Sequence, residues 1–137
     1  MLYFAYGSNL HHFQMKRRCK DSYFIKKINL RNFKLTFRSK YRAADIEVKK
    51  NSIVPGALYE ISKSDEKKLD VYEDYPNLYK KYYFHYYGSK VMTYTMVSKS
   101  PFRFPTERYL NIVKQGYKDC NLDKKYLQKA LIEKGTS

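Results

Sequence analysis

Apolar and polar residues alternate through much of this chain, and that alternation predicts strands first. Residues 2–6 form a short aromatic strand that runs into Gly7. Ser8 stands where an N-cap is expected, ahead of a helix from Asn9 to about Cys19 whose weak apolar face is Leu10, Phe13 and Met15. Residues 22–38 alternate over Tyr23, Ile25 and Ile28, then over Phe33, Leu35 and Phe37, which predicts two strands with a break near Asn29 to Asn32. Arg38 to Arg42 reads as a basic loop, and residues 43–48 re-enter the sheet. The run from Ile53 to Ile61, entered through Pro55-Gly56, is the clearest central strand.

The second half changes period. Ser62 or Ser64 caps a helix with Asp65 and Glu66 in its first turn, carrying Leu69 and Tyr72 and ending near Tyr75-Pro76. Residues 79–87 and 90–97 are aromatic and β-branched runs joined at Gly88-Ser89, the pattern of a hairpin with a type II′ turn. Pro101 to Pro105 is a loop. Helices follow from Thr106 to about Lys118 and from Asp123 to Lys134, the second capped by Asp123 and stopped by Gly135. No internal repeat or low-complexity linker interrupts residues 1–137, so the expectation is one domain. Its class is α+β: a small, mostly antiparallel sheet curled toward a barrel, with helices outside.

Composition narrows the function. Hydrophobic residues make up 43% of 137 positions, enough for a real core, and no apolar run is long enough to span a bilayer. With no charged-then-apolar leader at the start, the expected location is cytoplasmic. Cys19 and Cys120 are expected to be free thiols, and no Cys-x-x-Cys spacing or histidine pairing marks a metal site. The net charge is +15, from 28 Lys and Arg against 13 Asp and Glu. The basic residues are spread along the whole chain, which makes nucleic acid a poor partner and leaves two readings, a heavily charged solvated surface or a positive field that draws a small anionic substrate.

Two segments carry chemistry. Tyr3-Phe4-Ala5-Tyr6-Gly7-Ser8-Asn9-Leu10 is a strand, a glycine turn and a helix start, where exposed amides of Gly7, Ser8 and Asn9 suit a carboxylate. The same pattern also serves as an ordinary strand-to-helix connection. In Leu69-Asp70-Val71-Tyr72-Glu73-Asp74, Asp70 and Glu73 share a helix face near its negative end. A carboxyl held there among aromatic rings suits a general base, and a solvated acidic helix end has the same sequence.

Together the segments resemble the γ-glutamylcyclotransferase, or AIG2-like, family. Leu2 through Leu10 reads as that family's opening signature, and Leu69-Asp70-Val71-Tyr72-Glu73 matches its Leu-Asp-x-x-Glu after the Gly-containing strand at Pro55-Gly56. Tyr94 matches a tyrosine on a late strand, and Pro105 to Leu131 resembles the closing helix pair, with Tyr109 and Gln115-Gly116-Tyr117 in the matching region. Asp74 departs from the family, which commonly has Gly there; a second negative charge would raise the Glu73 pKa further if it lies close, and could change which leaving group fits.

The resemblance implies an enzyme that cyclises a γ-glutamyl amino acid or amine to 5-oxoproline, as in glutathione metabolism, without a cofactor or metal. Glu73 is the implied acid/base. Tyr3, Phe4, Ala5, Tyr6, Gly7, Ser8, Asn9, Leu10 and Tyr94 are the implied substrate-binding residues. The expected partner is the small γ-glutamyl substrate; a membrane is not, and a homodimer is open. Tyr72, Tyr75, Tyr79, Tyr82, Tyr83, Tyr86 and Tyr87 are expected mostly as sheet packing, and Arg38, Lys40 and Arg42 as a solvated loop ahead of the other reading, a ring around the pocket mouth. Two alternatives stand beside this reading. One is the same scaffold cyclising γ-glutamylamines or removing a γ-glutamyl protecting group. The other is a basic nucleic-acid-binding protein on an inactive scaffold.

Overall fold

The computed structural model describes residues 1–132 of the chain. In order, its elements are β1 (Leu2–Ala5), a 3-10 turn (Ser8–Leu10), α1 (His12–Arg18), β2 (Tyr23–Arg38), β3 (Ala43–Glu60), α2 (Lys63–Tyr72), β4 (Tyr79–Tyr86), β5 (Ser89–Met96), α3 (Glu107–Asp119) and α4 (Lys124–Ile132). The class is α+β, as expected. The five strands lie in the order β2-β3-β1-β5-β4. Neighbours are antiparallel except β1 and β5, which pair parallel through Leu2 with Val91 and Tyr3 with Met92. Every residue of β5 from Val91 to Met96 is buried, because strands cover both its edges and layers cover both its faces. The edge strand β4 buries only Tyr79 fully.

The sheet curls because β2 and β3 form one long bent ribbon. The pairing shifts register between Arg31 and Phe33, and Asn32 takes a φ of 66°. Asn51 opposite also has a φ of 66° and gives its amide to Asn32 Oδ1 at 3.1 Å. Asparagine tolerates this left-handed backbone, so the strand bends there and does not stop. The two strands expected over residues 22–38 are therefore one. The bend carries the far end of the ribbon back to the end of β5, where Met96 N donates to Asp45 Oδ1 at 2.8 Å. Arg38 closes the same corner. It is 4% exposed, donates to Ser100 O at 3.0 Å, and pairs with Asp45 and Glu47, so it is a buried strand residue and not part of a solvated loop.

Other local expectations shift by a residue or a cap. The Ser8 hydroxyl is engaged elsewhere and does not cap α1; His11 does, its Nδ1 accepting from Gln14 N at 3.3 Å. Leu10 and Met15 are buried, but Phe13 is 68% exposed. Ser62 caps α2 in a capping box with Asp65, and the helix ends at Tyr72 with Glu73 as C-cap. The β4–β5 turn is Tyr87-Gly88, both with positive φ, which is type I′ and not type II′. The tyrosines expected as packing divide. Tyr79 is buried and Tyr86 half-buried, whereas Tyr72, Tyr75, Tyr82, Tyr83 and Tyr87 are exposed. The expected end of the last helix, Lys134 with Gly135 as stop, lies outside the described residues.

α3 seats against the first loop of the chain. A Cβ on Gly116 would stand 2.4 Å from Leu10 Cβ and 2.8 Å from His11 N, so only glycine lets the helix come this close. Asp119 Oδ2 accepts from His12 N at 3.0 Å at the end of the same helix. No helix among the described residues is long and apolar enough to cross a membrane.

Candidate functional site

β1 delivers Tyr3 to the sheet interior and then hands the chain to Tyr6, Gly7 and the 3-10 turn. The turn's first hydrogen bond runs from Leu10 N to Gly7 O, at 3.1 Å. The amides of Gly7, Ser8 and Asn9 lie ahead of it and have no partner within the turn. Opposite them, α2 makes its final helical bond, Glu73 N to Leu69 O at 2.8 Å, and presents the Glu73 side chain. Glu73, Tyr3, Tyr6, Gly7, Ser8, Asn9 and Tyr94 all line one small cavity of about 30 Å³, with Ala44, Tyr79, Thr93 and Tyr109 completing its wall.

Hydroxyls brace this wall. Tyr6 donates to Tyr94 O at 2.6 Å, Tyr79 to Ala44 O at 2.7 Å, and Thr93 to Phe4 O at 2.7 Å. Tyr94 donates to Asp70 Oδ1 at 2.6 Å. Tyr3 and Tyr109 behave differently: they accept, from Asn9 Nδ2 at 2.9 Å and from Ala44 N at 3.0 Å. Neither of these two hydroxyl protons has an acceptor among the described residues. Burial pushes the pKa of Tyr3, Tyr6, Tyr79, Tyr94 and Tyr109 well up, so all five are neutral donors or acceptors at neutral pH.

The Glu73 carboxyl has no hydrogen-bond partner among the described residues. Burial pushes its pKa from 4.5 to about 7, and the charge of Arg18 partly offsets that rise. The cause is desolvation, not the helix end alone. Asp74 is exposed, with a φ of 51°, and is not among the charges acting on Glu73. An uncommitted carboxyl near half-ionisation can take a proton from one atom and return it to another at neutral pH.

Not every residue expected here arrives. Phe4, Ala5 and Leu10 are buried outside the cavity: Phe4 packs edge-on against Phe84, and Leu10 lies under Gly116. Sequence reasoning missed Ala44 and Arg18, and assigned Tyr79 to packing. Arg18 donates through Nη1 to Ser8 Oγ at 3.2 Å and to Asn9 Oδ1, and its guanidinium lies 3.4 Å from the centroid of the Tyr72 ring. An arginine four residues after Gln14 carries no local signature of that role.

Other chemistry is not grouped this way. Cys19 and Cys120 are free and buried, and burial pushes both thiols up to about 12. No cluster of three or more His, Cys, Asp or Glu among the described residues is placed to hold a metal ion. A larger cavity of about 530 Å³ between α3 and α4 has Lys114, Lys118, Lys124 and Tyr117 in its wall but no carboxylate, so it offers no acid/base.

The family model described as gamma-glutamyl cyclotransferase, AIG2-like, matches residues 3–116. Among solved structures, one described as gamma-glutamyl cyclotransferase is similar with a TM-score of 0.77 at 24% identity, covering 95% of this chain and 85% of its own. An uncharacterized protein from Homo sapiens is similar at 0.76 and 25% identity, over 94% of this chain and 85% of that one. YkqA from Bacillus subtilis is similar at 0.78 and 19% identity, over 99% of this chain and 54% of that one. No curated protein matches the sequence closely.

Proposed function

Since the chain belongs to the gamma-glutamyl cyclotransferase, AIG2-like family, we propose that it cyclises a γ-glutamyl group to 5-oxoproline and releases the amine that the group carried. The observation that carries this reading is the Glu73 carboxyl, without a hydrogen-bond partner among the described residues and with a pKa near 7, lining one small cavity with Gly7, Ser8 and Asn9.

The substrate's α-carboxylate sits at the Tyr6 to Asn9 turn, drawn by its amides and by the positive field of the chain. Glu73 takes a proton from the α-ammonium. The freed nitrogen attacks the γ-carbonyl carbon of the same molecule, so a five-membered ring closes without a second reactant. Negative charge then develops on the carbonyl oxygen. Tyr3 and Tyr109 hold hydroxyl protons that the fold leaves uncommitted, and these suit that oxygen. As the bond from the γ-carbon to the leaving nitrogen breaks, Glu73 gives its proton to that nitrogen. Ring closure forms one C–N bond and breaks one; the ring nitrogen sheds its second proton through the same carboxylate, so the products are the lactam N–H and the released amine as its ammonium.

Replacing Glu73 with Gln tests the reading. It keeps the shape and removes the proton carrier, so release of 5-oxoproline should fall by a factor of about 10² to 10⁴. Undiminished release would remove Glu73 from the mechanism. The same chemistry serves γ-glutamyl amino acids, γ-glutamylamines and larger γ-glutamyl-protected products. A panel of such donors assigns the leaving group.

A further inference from the structure

An arginine withdrawn from bulk water is normally met by a carboxylate. Arg18 is half-buried on the last turn of α1, and among the described residues no carboxylate lies within ion-pairing reach of it. Its hydrogen bonds go to neutral oxygens: Ser8 Oγ, Asn9 Oδ1, and the Gln14 amide oxygen once that amide is turned to face it. The face of the guanidinium rests on the Tyr72 ring, and Tyr72 Oη is itself 3.2 Å from Ser8 Oγ.

Position gives the unmatched charge a meaning. Two of its three acceptors, Ser8 Oγ and Asn9 Oδ1, are side chains of the turn that lines the cavity, so the guanidinium is tied to that turn. Its field also reaches Glu73. The cavity, at about 30 Å³, holds little more than a water, so an incoming ligand must displace part of its wall. Arg18 is not itself in that wall, but the oxygens it donates to on the turn are uncharged, so an incoming carboxylate competes for its guanidinium.

We propose that Arg18 is the counter-ion for the substrate's α-carboxylate, and that it makes the site select ligands with a free α-carboxylate over their α-amides. The inference rests on the cyclotransferase reading above. On binding, the guanidinium trades a neutral side-chain oxygen for a carboxylate oxygen while it stays stacked on Tyr72. The bond given up is charged on the donor side alone; a carboxylate adds the opposite charge on the acceptor side and can take two parallel N–H donors. The α-ammonium, attached to the same carbon as the carboxylate, is then turned toward Glu73.

Calorimetric titration of the full chain with L-glutamate and with its α-amide, isoglutamine, tests this without turnover. The wild-type protein should prefer L-glutamate by about tenfold to a hundredfold. Arg18→Gln should bring that ratio close to one, and Arg18→Lys should retain a preference at lower affinity. Arg18→Met keeps the stem against Tyr72 and substitutes for the Gln variant if the latter does not fold. Equal weakening of both ligands, an unchanged ratio, or no preference or binding in the wild type each overturns the proposal. Glu73→Gln separates the two ideas. Continued 5-oxoproline release by that variant sinks the reaction assignment while the binding preference stands. An inactive Glu73→Gln beside an unchanged ratio in Arg18→Gln sinks only the role of Arg18.

Discussion

The Tyr94 hydroxyl donates to Oδ1 of Asp70 across 2.6 Å and so ties β5 to the end of α2 that presents Glu73. Lys81 on β4 holds the same carboxylate at 3.1 Å and reaches Glu66 at 2.9 Å. One turn of helix is thereby fixed to two strands. Tyr94→Phe removes a hydrogen bond to a charged group but leaves Asp70 neutralised by Lys81. The expected loss in stability is about 1 kcal/mol, read by urea unfolding. Turnover should fall with it, because the Glu73 backbone loses one of its two restraints.

Glu73 costs the folded state something, and the cost depends on pH. Its folded pKa of about 7 lies above the ordinary 4.5. The stability this raised pKa represents is fully present below about pH 4.5 and is lost as pH rises through about 7, because the unfolded chain ionises first. Glu73→Gln should therefore be the more stable protein at pH 8, by about 2 kcal/mol after allowance for partial exposure, and close to wild type at pH 4.5. Urea midpoints at the two pH values check this. A variant no more stable at pH 8 would mean that the carboxyl is not desolvated.

The same carboxyl sets the acidic limb of activity. As the base it must be ionised, so kcat/KM should rise with pH and level off above about 7. Arg18 opposes the upward shift, so Arg18→Gln should move this limb to higher pH, measured with a single γ-glutamyl donor.

Tyr109→Phe tests one of the two hydroxyls whose protons have no acceptor among the described residues. Loss of an oxyanion donor lowers kcat by a factor of about 10², with KM little changed. Loss of the acceptor for Ala44 N also costs about 1 kcal/mol of stability. A kcat equal to wild type would reassign Tyr109 to bracing alone.

Much of this arrangement could be read from the chain. The turn after β1 and the carboxyl at position 73 stood out because glycine, small polar residues and closely spaced acids signal locally. The β4–β5 hairpin stood out through its alternation. Arg18 and Tyr79 did not. Each acquires its place only when a helix end or an edge strand docks across the sheet, and nothing within a few positions encodes that docking. The mistaken Ser8 cap has the same origin: its hydroxyl meets Arg18 and Tyr72, from ten and sixty-four positions away. The expected break at Asn29 to Asn32 became a bend because paired asparagines accept a backbone that most residues avoid.

Ala44 gives its amide proton to Tyr109 and its carbonyl to Tyr79, so a single peptide residue spaces two rings of the cavity. Ala44 lies on β3, paired with Phe37 on the far side of the irregularity at Asn32. The spacing of those two rings thus hangs on one strand whose course is bent far from the cavity, and substitutions at the crease should change which ligands fit without touching any of them.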